Sequence, residues 1–149
     1  MPKISDRTTL HGSTPALVER AHALGPVPAD ERFEVTVRIR RKAPLLASAV
    51  SVEPGGKLET RQYLTREQYA ASHGADDADI AKVAEFARQA GLAVVDTSAA
   101  RRSVFLSGTA QQFVAAFGTS IEQVELESGI ARRRTSPIHL PADLTDIVE

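Results

Sequence analysis

The sequence contains no cysteine and no tryptophan, and only 5% of its 149 residues are aromatic. The first absence excludes disulfides and thiol chemistry but leaves the compartment open. The scarcity of aromatics means that the core must be built from Val, Leu, Ile, Ala and a few Phe. No apolar run approaches the roughly 18–20 residues a membrane span requires. The stretch from Met1 to Ser13 lacks the apolar segment of a secretory signal, so none is expected here. A charge excess of one sign is also missing. With 18 Lys and Arg against 19 Asp and Glu, the formal net charge is −1. That argues against a nucleic-acid binder built on basic excess and against an acidic tail protein. Repeats and low-complexity segments are absent. What remains describes one soluble domain, long enough for a real core.

Catalytic constellations are missing too. His11, His22, His73 and His139 are scattered, and none has the spacing of a metal site. No serine sits in a G-x-S-x-G setting. Ser107-Gly108-Thr109 joins a strand to a helix without a phosphate-loop lysine, and reads as a tight turn with an N-cap. Asp76, Asp77 and Asp79 resemble a fragment of a calcium loop, but the loop is too short and has neither the glycine nor the terminal glutamate. No catalytic, cofactor-binding or metal-binding residue is therefore assigned.

Residues 1–31 hold Pro2, Gly12, Pro15, Gly25, Pro26 and Pro28, and read as an extended arm, wrapped on a surface or partly disordered. The cleanest strand follows at 33–40. Phe33, Val35, Val37 and Ile39 alternate with Glu34, Thr36, Arg38 and Arg40, the period of a strand with one buried face. Arg40-Arg41-Lys42 is either a solvated strand end or a binding patch. Residues 43–62 are irregular. Thr65 and Gln68 form a capping box for a short helix over 65–73 that Gly74 stops. Ile80, Val83, Ala84, Ala87 and Ala90 then recur at the spacing of an amphipathic helix over 77–90. Strands are expected at 92–96 and 103–107, a helix capped by Thr109 and Gln112 at 109–117 with Gly118 as its C′ residue, and a strand at 121–127. That last strand is expected to bulge near Glu122–Gln123 and to return through Ile130–Arg134. The remainder, 136–149, reads as an extended tail.

This order, β-α-β-β-α-β, predicts an α+β domain of the ferredoxin-like kind: a four-stranded antiparallel sheet with two helices on one face, an inserted short helix and extended termini. First and third strands would be central. The other face stays uncovered, with Glu34, Thr36, Arg38 and Arg40 on the first strand and Phe105 on the third. Such a face suits docking to a partner, although plain solvation is the commoner fate.

Several motifs, in order, resemble the pro-domain of the sedolisin or kumamolisin family of serine-carboxyl peptidases, the pro-kumamolisin activation domain. Leu10-His11-Gly12-Ser13 looks like its L-x-G-S element. Tyr63 to Tyr69 resembles its Y-L-T-x-E-E motif. Asp79 to Leu92 resembles its helix-to-strand step, with Phe86 near the usual aromatic. Arg102 to Gly118 resembles the segment that opens on an arginine and closes on Ala116-Phe117-Gly118-Thr119. Pro141 to Val148 resembles the stretch before the catalytic domain.

The resemblance implies a fold like the subtilisin propeptide and a division into an arm (1–31), an activation domain (32–135) and a linker toward an absent catalytic domain (136–149). It implies a non-catalytic part of a secreted peptidase precursor, which helps the peptidase fold and inhibits it until acid triggers processing. The partner would be the cognate serine-carboxyl peptidase, with no cofactor, nucleic acid or membrane. On that basis the open face would dock on the peptidase, and Ser136, Pro137, Ile138, His139 and Leu140 would lie toward its cleft. Glu34, Glu122, Glu125 and Glu127 are candidates for an acid switch. Arg132, Arg133 and Arg134 are either a processing site on a hairpin or a solvated strand edge. The competing expectation is a free-standing ferredoxin-like module, or a stand-alone inhibitor, the module binding nucleic acid or a small ligand through Arg38, Arg40, Arg41, Arg101 and Arg102.

Overall fold

A computed structural model of the chain describes residues 6–43 and 65–149. The irregular stretch expected within 43–62 lies almost wholly outside these residues, as do Tyr63 and Leu64 of the family-like motif. The central sheet has three antiparallel strands: β3 (Arg32–Arg38), β5 (Ser103–Thr109) and β4 (Ala93–Ser98), in the order β3-β5-β4. Alternation decides their faces. Val35 pairs with Leu106 and Val37 with Val104, and these side chains point to one side. There they meet α2 (Asp77–Gln89) and α3 (Ala110–Phe117). Ile80, Val83, Ala87, Phe113 and Phe117 from the helices close over Val37, Ile39, Val104 and Leu106 in one core. Phe113 stacks on Phe33 at 4.7 Å between ring centroids.

Local chemistry sets the helix boundaries. Thr65 and Gln68 make the expected capping box on α1 (Arg66–His73), and Thr109 with Gln112 makes the second on α3. Asp76 caps α2 by accepting from Ala78 N at 2.8 Å. Gly118 ends α3 in the left-handed region, φ 55°, where glycine carries no Cβ penalty. Gly74 ends α1 for a different reason. Its φ is ordinary, but a Cβ there would lie 2.4 Å from Ala70 O and 2.8 Å from Ala99 O.

The expected fourth strand departs from the ferredoxin-like plan. β6 (Ile121–Leu126) does not pair with β3. It is the middle of a second antiparallel sheet, β2-β6-β7, between β2 (His22–Pro26) and β7 (Gly129–Arg134). With both edges taken, β6 has none left for β3. The bulge is also elsewhere: Leu24 is the extra residue opposite Val124 and Gln123, while β6 and β7 pair without a shift. A second extra residue, Val95, interrupts β4 against β5.

Neither terminus is merely extended. β1 (Arg7–Thr9) pairs with β8 (His139–Pro141), and a helical turn, α4 (Ala142–Thr145), follows. Leu10, Leu140, Leu144 and Ile147 are buried in the central core. The reason is supply. With few aromatics, the core draws its aliphatic side chains from both ends of the chain.

Candidate functional site

The face of the central sheet opposite the helices carries the residues that the sequence singled out. Glu34, Thr36 and Arg38 alternate along β3, facing Ser107, Phe105 and Ser103 of β5 in register. Asp96 of β4 completes the middle row beside Phe105. Glu34, Thr36, Arg38 and Asp96 are exposed, and Phe105 is half-buried. Arg101 reaches over this row, its guanidinium carbon 5.3 Å from the Phe105 ring centroid and its Nη2 3.4 Å from Asp96. The result is one aromatic platform among charges of both signs.

Arg40 does not join it. β3 ends at Arg38, and the Arg40 side chain turns to the first turn of α2, where Nε donates to Asp79 Oδ2 at 2.9 Å. Asp79 is buried and also sits in the acidic first turn that a helix N-terminus favours. The hydrogen bond and the charge of Asp79 raise the Arg40 pKa above its ordinary value.

The residues from Ser136 to Leu140 are held within the domain. Thr119 Oγ1 donates to Ser136 O at 2.8 Å, Ile138 N donates to Ser13 Oγ at 2.9 Å, and Leu10 N donates to Ile138 O at 2.8 Å. His139 Nδ1 lies 2.8 Å from Gly118 O, and Leu140 is buried. Pro137 follows the bend at Thr135–Ser136. The three arginines of β7 are likewise engaged. Arg132 pairs with Glu31 and lies over the Phe33 ring, Arg133 Nε donates to Glu122 at 2.7 Å, and Arg134 Nη1 donates to Ser13 O at 2.6 Å.

Arg102, expected among the surface arginines, is instead 5% exposed, at φ 53°, in the turn between β4 and β5. Its Nη1 donates to Ile39 O at 3.1 Å and to Glu149 Oε2 at 2.8 Å, tying the end of β3 to the last residue described. The one available signal was its place at the head of the family-like segment. Among the described residues, then, the five arginines of the nucleic-acid reading do not form one patch. One is buried, one is turned to α2, and one is committed to Asp96 and Phe105. No group of His, Asp and Glu among the described residues could hold a metal, and no helix there is long and apolar enough to cross a membrane.

The family described as "Pro-kumamolisin, activation domain" matches residues 19–149. The chain belongs to that family. Among curated proteins, it is 31% identical over 144 residues to kumamolisin of Bacillus sp. (strain MN-32), covering 96% of this chain and 26% of that protein. It is 27% identical over 139 residues to sedolisin of Pseudomonas sp. (strain 101), covering 91% of this chain and 24% of that one. The chain thus spans about a quarter of the length of the curated relatives it matches. As a member of the activation-domain family it corresponds to one part of each relative and matches the whole of neither.

Proposed function

We propose that this activation domain acts as an intramolecular chaperone and an acid-released inhibitor of a secreted serine-carboxyl endopeptidase. The observation that carries the reading is the family match over 131 residues, counting from 19 to 149. The open sheet face supports a mechanism. Glu34, Thr36, Arg38 and Phe105 form a rigid, register-locked surface on the side away from the core, and an aromatic ringed by charges is the composition of an interface anchor. On this reading the face docks on the peptidase and Phe105 is its centre.

The cleft-directed role expected for Ser136–Leu140 would require that segment to leave hydrogen bonds to Leu10 and Ser13. A processing cut at Arg132–Arg134 would likewise require β7 to detach from β6. We place neither in the docking step.

Acid release follows from ion pairing. Protonating a carboxylate removes its half of a pair, and carboxylates as a class titrate near pH 4. Stability or affinity drawn from such pairs is present above that range and is lost as pH falls through it. Glu34 lies exposed on the docking face, and Glu122 is paired with Arg133 within the domain.

The test is inhibition of mature Bacillus kumamolisin by the purified chain from pH 3 to pH 7. Tight inhibition near neutrality that collapses in acid is expected. Inhibition that is flat with pH would remove the acid switch and keep the inhibitor. A folded chain that inhibits at no pH would remove both.

A further inference from the structure

Residues 6–13 form a clasp over a later part of the chain. β1 pairs with β8, Leu10 N donates to Ile138 O at 2.8 Å, and Ile138 N donates to Ser13 Oγ at 2.9 Å. Ser13 is buried, and its hydroxyl donates in turn to Leu10 O at 2.7 Å. Arg7 Nη1 donates to Ala115 O in α3 at 2.8 Å. These contacts hold Ser136–Leu140 against the rest of the domain.

The clasp is joined to β2 by a loop, Thr14–Ala21. Each end of the loop is anchored. Arg134 Nη1 donates to Ser13 O at 2.6 Å at one end, and His22 pairs with Glu125 of β6 at the other. Between these anchors the backbone is bare. The Leu17 carbonyl and the Val18 N–H have no hydrogen-bond partner among the described residues, and neither residue belongs to a helix or strand. Leu17 is 98% exposed, so its side chain adds nothing to the core, and Val18 beside it is exposed as well. Arg20 closes the loop at φ 60°, a left-handed conformation that is costly for a residue with a Cβ. Its partner Glu127, at 3.5 Å, is exposed, and such a pair is worth little.

An endopeptidase takes its substrate as an extended segment through backbone groups, with a side chain for the pocket beside the scissile bond. A bond inside a helix or a ladder must be opened before it can meet that demand. Leu17–Val18 meets it as it stands. Leu24 supplies the contrast. It is also a leucine and is 50% exposed, but it lies in β2 between Ala23 and Gly25, both paired to β6.

We propose that Leu17–Val18 is a processing site for an endopeptidase that accepts leucine, and that the cut releases the clasp. The hydroxyl of a water adds to the Leu17 carbonyl carbon, the C–N bond breaks, and the Val18 nitrogen takes the remaining proton. Before the cut, the loop keeps the clasp at an effective concentration of about the millimolar range. After it, the residues up to Leu17 are held by non-covalent contacts alone and leave on dilution. Ser136–Leu140 then loses its partners at Leu10 and Ser13. The proposal does not depend on the open sheet face or on inhibition of a peptidase.

The full chain is treated at neutral pH with chymotrypsin, which cuts after leucine as well as after aromatic residues, and mass spectrometry follows the products. The fragment ending at Leu17 is expected to form at least about tenfold faster than any cut at Leu24–Gly25, because the second cut requires β2 to leave β6. Leu17→Asp should remove the first cut and leave the urea midpoint unchanged, as expected of so exposed a position. Gel filtration of the cut wild type at low micromolar concentration should separate the N-terminal fragment from the remainder. Hydrogen-exchange protection of the Ile138 amide should fall by at least about tenfold on cutting. The Leu17→Asp chain, treated alike, should keep its N-terminal segment and its Ile138 protection. Equal rates of cutting after Leu17 and Leu24 would overturn the site. A fragment that stays bound on dilution, with Ile138 as protected as before, would overturn the release.

Discussion

Replacing Arg102 by methionine tests whether the tie between β3 and the C-terminal segment is structural. Methionine keeps most of the volume and the same left-handed backbone cost, so the strain at φ 53° cancels from the comparison. Two contacts are lost. The bond to Ile39 O matters more, because that carbonyl belongs to a residue 0% exposed and is left without the guanidinium donor. An orphaned buried acceptor costs about 1–3 kcal/mol. The bond to Glu149 matters less. The Glu149 side chain is 46% exposed, so solvent screens the pair and its worth falls to about 0–1 kcal/mol. Relief of the arginine's own desolvation acts in the opposite direction. The net expectation is a destabilisation of about 2 kcal/mol for Arg102→Met and at most about 1 kcal/mol for Glu149→Gln. Urea unfolding measures both, with a shifted midpoint and an unchanged slope marking a true stability change. If Glu149→Gln cost as much as Arg102→Met, the ion pair would dominate and the argument from the Ile39 carbonyl would be wrong.

Other substitutions probe the core, the caps and the surface. Phe113→Ala, which empties a site 2% exposed beneath Phe33 and beside Phe117, should cost about 3–5 kcal/mol in the same assay. Thr109→Ala removes the acceptor for Gln112 N and should cost about 1 kcal/mol, with the loss seen first in the hydrogen exchange of α3. Gly118→Ala should cost more than about 1 kcal/mol, because its backbone is left-handed and a Cβ would lie 3.0 Å from His139 Cβ. The Arg40 pKa is raised, so the stability that this arginine contributes is fully present below its ordinary value and is lost only as pH rises through the higher one. The stability difference between wild type and Arg40→Met should therefore be constant from pH 7 to pH 10, and a difference that shrinks across that window would contradict the pairing.

What could be read from the sequence was what depends on near neighbours. The alternation of Phe33, Val35 and Val37 places β3 and its buried face, and the spacing of Ile80, Val83 and Ala87 places α2. Both capping boxes are four-residue signals and both form. The open face could be read for the same reason, since a strand's two faces follow from one period. The distant pairings could not. β1 and β8 share only three residue pairs across more than a hundred positions, too short for any period to register. Leu10, Leu140 and Leu144 are single apolar residues among prolines, glycines and polar residues, and nothing local marks them as core. β6 looked like the missing fourth strand because its type was legible, whereas its choice of β2 over β3 depends on an arm that carries two prolines and a glycine near the pairing. Arg102 looked like surface because arginine usually is, and its burial depends on Ile39 and Glu149 arriving from elsewhere.

The measurement that tests the central claim most directly compares wild-type chain with Phe105→Glu as inhibitors of mature Bacillus kumamolisin at neutral pH. Phe105 is half-buried on the central strand, so the urea midpoint of the variant is measured beside its inhibition to separate lost contact from lost fold. The account predicts tight inhibition by the wild type and a loss of at least about tenfold in the variant, the effect of removing one interface anchor. Equal inhibition by two equally folded chains would place the contact elsewhere and contradict docking through the open face.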